Sequence, residues 1–141
     1  MSVKSKEKNN IGLDKKRLTN SFKYAFNGII SAYKDEQNIK IHTIVAVLVL
    51  ILGIILKLTK IEFIICLILI GLVLMAEFFN TAIENAVDLV TLEENKYAKI
   101  AKDTAAAGVL VFTGISAVIG LIIFIPKIIT FIGELLWENQ N

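Results

Sequence analysis

The sequence predicts an all-α membrane protein: one N-terminal amphipathic interfacial helix followed by three transmembrane helices. Three observations carry that reading. The chain has 141 residues, 55% of them hydrophobic, and a mean hydropathy of +0.68, more apolar surface than a soluble domain of this size can bury. Three apolar runs are each long enough to cross a hydrocarbon layer about 30 Å thick. The basic residues are gathered into two polar regions and thinned out elsewhere.

Residues 1–12 form a basic, Lys- and Asn-rich tail with almost nothing to bury, and are expected to be disordered. Residues 13–141 read as one membrane-embedded domain, with no internal repeat and a single proline. From Leu13 the pattern becomes helical. Leu18, Phe22, Phe26, Ile29, Ile30 and Tyr33 recur on one face, while Lys15, Lys16, Lys23, Asn27 and Lys34 fall on others, as in a helix lying in the membrane interface. The first span is expected over residues 41–58. The second is expected over 61–80, its helical pattern continuing without a breaker to about Val90, and the third over 105–125, ahead of Pro126 and Gly133.

The first forty residues hold nine basic side chains against four acidic ones, and the polar stretch 91–103 adds Lys96, Lys99 and Lys102, so twelve of the fifteen Lys and Arg lie in these two regions. The positive-inside rule then places both in the cytoplasm and the C-terminus outside. A basic arm also suits nucleic acid, but spans follow it and no nucleic-acid module is recognisable. The late start of the first apolar run, with no small-residue cleavage site after it, argues against a cleavable signal peptide. Cys66 is the only cysteine, so neither a disulfide framework nor a thiolate metal site fits within one chain.

The second span carries the chemistry. Glu77, Asn80, Glu84 and Asp88 are spaced by three, four and four residues, which places them on one stripe of one helix. Ionisable groups in a bilayer cost roughly 2.5 to 3.5 kcal/mol at the centre, so this stripe faces protein or water. Counted from Ile61, Glu77 lies on the order of 24 Å along the span and Glu84 on the order of 35 Å. A lipid hydroxyl can therefore reach the first and a cytosolic nucleotide the second. Glu36 precedes the first span at the level of Glu84, and two such carboxylates can share a Mg²⁺ that also binds ATP phosphates. Lys99, Lys102 and Asp103 lie within about one turn at the start of the third span, where lysines can neutralise phosphate oxygens. Simple pairing of the acids with nearby lysines is the competing structural explanation.

There is no phosphate-binding Gly-rich loop ending in Lys-Ser/Thr and no protein-kinase signature, so acidic metal ligands and scattered bases must hold any nucleotide. His42 stands alone at the start of the first span and reads as a hydrogen-bonded interfacial residue, not as a metal ligand. A channel or proton relay along the acidic stripe is the non-enzymatic alternative. Against it, the first and third spans carry no matching acids.

The run Glu77-Phe78-Phe79-Asn80-Thr81-Ala82-Ile83-Glu84-Asn85-Ala86-Val87-Asp88 resembles the signature of the small prokaryotic lipid kinases, the diacylglycerol kinase and undecaprenol kinase family. The resemblance extends to Ala101-Lys102-Asp103 and, upstream, to Tyr24, Gly28 and Glu36-Gln37-Asn38, and covers about residues 17–125. It implies that Glu77 is the catalytic base and Asn80 part of the same centre. It further implies that Glu36 and Glu84 bind Mg²⁺, and that Arg17, Tyr24, Lys102 and Asp103 contact the ATP. A homotrimer with sites shared between neighbouring subunits is also implied. Phe79 departs from the family's usual smaller aliphatic residue, but off the acidic stripe. The Ile-, Lys- and Asn-heavy composition suggests an AT-rich bacterial genome, and His42 at the entry of the first span resembles the Gram-positive branch, whose members act mainly on undecaprenol; diacylglycerol is the alternative substrate.

Overall fold

The computed structural model describes residues 15–138; the tail expected over residues 1–12 lies outside the described residues. Four helices follow in order: α1 (Lys15–Asp35), α2 (Gln37–Ile55), α3 (Lys60–Val90) and α4 (Lys96–Glu138). Among the described residues there is no strand. The helices α2, α3 and α4 are long and apolar enough to cross a membrane, and the chain is a membrane protein.

Each break between helices has a local cause. At Glu36 the backbone turns extended, at φ −102° and ψ 123°, while its N–H still donates to the Ala32 carbonyl at 2.9 Å, so α1 and α2 join at a corner. After α2, Lys57 takes a left-handed φ of 52°. That conformation lets Lys57 N–H reach the Ile54 carbonyl and Leu58 N–H the Gly53 carbonyl, which satisfies carbonyls left open at a helix C-terminus. Thr59 then opens α3 with a capping box: its hydroxyl accepts from Glu62 N–H, and the Glu62 carboxylate accepts from Thr59 N–H. Between α3 and α4 the chain needs only residues 91–95, and Asn95 Oδ1 accepts from the N–H groups of Tyr97 and Ala98.

The helices run longer than the apolar spans read from the sequence. The residues Lys96 to Asp103, expected in a polar connection, already belong to α4, and α4 continues through Pro126 to Glu138. Pro126 removes one backbone donor, and Thr130 Oγ1 donates to its carbonyl at 3.1 Å.

Two ion pairs tie α3 to α4 as antiparallel neighbours. Lys102 Nζ meets Asp88 Oδ1 at 2.5 Å near one end, and Lys127 Nζ meets Glu62 Oε2 at 3.2 Å near the other. Along α3 the two pairs are on the order of 39 Å apart. That separation suits the two interfaces of a bilayer about 40 to 45 Å thick with headgroups included. At the Lys127 end, Leu56, Cys66 and Phe124 form a small core against Val49, Leu58, Ile123 and Ile128. Most other large apolar side chains of the spans are exposed, as expected of surfaces facing lipid.

The amphipathic helix α1 attaches by its last turn. Ala32 is buried, and the Tyr33 ring packs at 6.4 Å from that of Phe78 on α3. Thr43 Oγ1 donates to the Ile39 carbonyl, so the Tyr33 hydroxyl donates to Thr43 Oγ1 at 2.5 Å. The face bearing Leu18, Phe22 and Phe26 is exposed, consistent with an interfacial helix.

Candidate active site

The acidic stripe of α3 divides by depth. Glu77 is 2% exposed and Asn80 6%, Glu84 is half-buried, and Asp88 is exposed. Counted from Asp88, Glu84 lies on the order of 6 Å and Glu77 on the order of 16 Å further toward the membrane interior. Asp88 is the member of the stripe that pairs with a lysine, Lys102; Glu77 and Glu84 make no such pair among the described residues.

The single hydrogen-bond partner of Glu77 among the described residues is His42, whose Nε2 lies 3.0 Å from Glu77 Oε1. Sequence reasoning placed His42 in a hydrogen bond but did not find the acceptor. The signal is faint. His42 on α2 and Glu77 on α3 are 35 residues apart, and only the packing of the two helices shows them at one depth.

Asn80 reaches one turn along α3, donating from Nδ2 to Glu84 Oε1 at 3.0 Å. Its Oδ1 remains a buried acceptor with no partner among the described residues, as does Thr81 Oγ1 beside it. Glu36 is the N-cap of α2, yet its side chain makes no capping bond, which leaves its carboxylate available for other use. Glu36 and Glu84 both lie within electrostatic reach of Glu77. The site therefore gathers three carboxylates and an amide from α3 and the corner between α1 and α2, with His42 from α2 beside them. Among the described residues no three His, Cys, Asp or Glu side chains converge closely enough to hold a metal by themselves.

The remaining expected residues are placed less centrally. Lys102 is on the second turn of α4, paired with Asp88, and Lys99 pairs with Asp103 at 2.8 Å on the exposed side of the same helix. Tyr24 and Arg17 lie on the outer turns of α1, both exposed, about 13 Å and 24 Å along the helix from Tyr33, where α1 meets the bundle.

Below His42 a cavity of about 470 Å³ runs between α2, α3 and α4, within the size range of small-molecule sites. Its walls are almost wholly apolar, including Val45, Ala46, Val73 and Phe124. Two hydroxyls on α4, those of Thr113 and Ser116, are buried without a partner among the described residues and belong to residues of this lining. No sequence argument singled out these two.

Known proteins resemble this chain over most of its length. Residues 23–124 match the family model described as prokaryotic diacylglycerol kinase. The chain is 45% identical over 112 residues to the undecaprenol kinase of Bacillus subtilis, covering 79% of this chain and 91% of that protein. It is 33% identical to a diacylglycerol kinase of Synechocystis, covering 78% of this chain and 63% of the relative. It is 34% identical to one of Haemophilus influenzae, covering 67% and 80%. With a buried carboxylate on a membrane helix, a nearby pair of acids and a family match over most of its length, the chain belongs to the prokaryotic diacylglycerol kinase family of membrane lipid kinases.

Proposed function

We propose that this protein transfers the γ-phosphoryl group of ATP to the hydroxyl of undecaprenol, giving undecaprenyl phosphate, with diacylglycerol as the alternative acceptor. The observation that carries the reading is Glu77: a buried carboxylate with one oxygen held by a hydrogen bond, next to a residue that lines an apolar intramembrane cavity. A long-chain alcohol has the matching shape, one hydroxyl on a hydrocarbon chain. The preference for undecaprenol is supported by the 45% identity to a kinase named for that lipid, against 33% and 34% for two named for diacylglycerol.

In this mechanism Glu77 accepts the proton of the lipid hydroxyl as its oxygen bonds to the γ-phosphorus and the bond from that phosphorus to the β–γ bridging oxygen breaks, releasing ADP. Such a reaction depends chiefly on positioning and on compensation of phosphate charge. Glu36 and Glu84 are hard oxygen ligands suited to Mg²⁺, and the unpartnered Asn80 Oδ1 beside Glu84 fits a metal-bound water. Two carboxylates alone would not fill the shell of such an ion, so Glu36 and Glu84 would hold it together with ligands from outside the protein. Mg²⁺, when bound there, neutralises charge on the ATP phosphates. Lys102, Asp103, Arg17 and Tyr24 contact the nucleotide in this reading. The outward placement of Arg17 and Tyr24 suits a homotrimer in which a neighbouring subunit completes the site. The charge distribution supports a bacterial cell membrane with the N-terminus cytoplasmic and the C-terminus outside.

The test is transfer of label. Purified protein in mixed micelles with Mg²⁺ and γ-labelled ATP is expected to label undecaprenol faster than diacylglycerol; no label in either lipid contradicts the kinase reading, and faster labelling of diacylglycerol reverses the substrate assignment.

A further inference from the structure

We propose that His42 is a positioning residue: it holds one carboxylate oxygen of Glu77 so that the other faces the lipid hydroxyl arriving at the head of the apolar cavity. The inference rests on the reading of Glu77 as the base, and assigns His42 a role that this reading does not require.

A buried carboxylate normally needs several partners, since each oxygen accepts two hydrogen bonds. Glu77 is 2% exposed, yet among the described residues it receives one bond, from His42 Nε2 to Oε1. Oε2 is therefore the oxygen left for substrate. The terminal torsion of a glutamate is broad and has no sharp minimum, so without that bond the carboxylate can turn through a wide range. Fixing Oε1 fixes where Oε2 lies. Misplacement of a reacting group by about 1 Å can cost about a hundredfold in rate, which is the scale on which such a contact acts.

His42 also belongs to the cavity. Its neighbours at three, four and seven residues along α2, Val45, Ala46 and Val49, line the same space, so one stripe of α2 leads from the hydrocarbon-lined interior up to the imidazole. A chain lying along that stripe brings its terminal hydroxyl to the level of Glu77. His42 is thus the one residue that both bonds to Glu77 and lines the cavity.

Two features distinguish this role from ordinary packing. An imidazole donating from Nε2 can be replaced by an amide, because Gln also carries an N–H at the end of a side chain of similar reach. A residue acting only through Glu77 also has nothing to contribute once Glu77 is no longer a base, so its effect and that of Glu77 are not additive.

The experiment compares wild type, His42→Ala, His42→Gln, Glu77→Gln and the double variant His42→Ala/Glu77→Gln, as full-length protein in mixed micelles with undecaprenol, Mg²⁺ and labelled ATP. The expected result is a fall in kcat of about tenfold or more for His42→Ala, with KM for Mg-ATP within about twofold of wild type. His42→Gln regains most of the lost rate, and the double variant matches Glu77→Gln. If His42→Ala lowers the residual rate of Glu77→Gln by the same factor as it lowers wild type, or if His42→Ala alone leaves kcat unchanged, the positioning role is overturned while Glu77 keeps its assignment. If His42→Gln is folded by circular dichroism and as slow as His42→Ala, the inference also fails. Wild-type activity in Glu77→Gln overturns the base reading itself, and this inference with it.

Discussion

Asn80 Nδ2 donates to Glu84 Oε1 across one turn of α3 at 3.0 Å, so the carboxylate assigned to the metal is oriented by the amide beneath it. Groups that orient a ligand are worth about 10- to 100-fold in metal affinity. Asn80→Ala is therefore expected to raise the Mg²⁺ concentration needed for half-maximal activity by about tenfold or more. Glu84→Gln is expected to remove most activity and raise the Mg²⁺ requirement, with insertion of the three spans intact. Mg²⁺ titrations at fixed ATP check both; unchanged curves remove Glu84 from the metal site.

Lys102 pairs with Asp88, and in the proposed mechanism it also meets the phosphates of the nucleotide. An ion pair as exposed as Lys102–Asp88 contributes about 1 kcal/mol or less, so Asp88→Asn is expected to change stability little and to leave KM for ATP unchanged or lower. Lys102→Met removes a charge-assisted contact worth about 1.5 to 3 kcal/mol and is expected to raise KM for ATP about tenfold or more. Steady-state kinetics on the two variants separate the roles. An unchanged KM in Lys102→Met assigns the lysine to structure alone.

The proposed topology rests on the charge distribution and on three spans. In a Cys66→Ala background, a cysteine introduced in residues 91–95 is expected to react with an impermeant reagent only in inverted vesicles, and a reporter fused after Asn141 to read as external. Labelling of the 91–95 turn from outside intact cells contradicts the orientation and the access of cytosolic ATP to Lys102.

The turn after α2 offers a test of the fold alone. Lys57 adopts a left-handed φ of 52°, a conformation that costs an L-residue roughly 1 kcal/mol or more and glycine almost nothing. Lys57→Gly is expected to keep activity and to stabilise the protein in thermal unfolding in detergent. A lower midpoint contradicts the geometry of that turn.

The sequence made the helices legible because apolar runs bounded by charges have one physical solution in lipid. The stripe of Glu77, Asn80 and Glu84 was equally plain, since helical spacing alone sets which residues share a face. Boundaries were less so. The residues from Lys96 to Asp103 read as part of a connection, yet they form the first turns of α4, because helix propensity and the caps at Asn95 operate outside the apolar run. Pro126 read as the close of the third span, but a proline in a long helix costs one hydrogen bond and need not end it. The division of the stripe, with Glu77 bonded to His42 and Asp88 to Lys102, depends on how α2 and α4 pack on α3, and no local pattern encodes that. The partnerless hydroxyls of Thr113 and Ser116 were hidden for the same reason.

In the proposed mechanism Glu77 takes the proton of the lipid hydroxyl, and Glu77→Gln tests that role in two assays on one preparation: equilibrium binding of Mg-ATP and the rate of phosphoryl transfer to undecaprenol. Glutamine keeps the size of the side chain and can still bond to His42, but it cannot accept the proton. The expected result is near-normal nucleotide affinity with transfer slowed by roughly 10²-fold or more, the scale of a lost general base. Loss of affinity in parallel with rate makes Glu77 a ligand or a structural acid instead, and an unchanged rate contradicts the account.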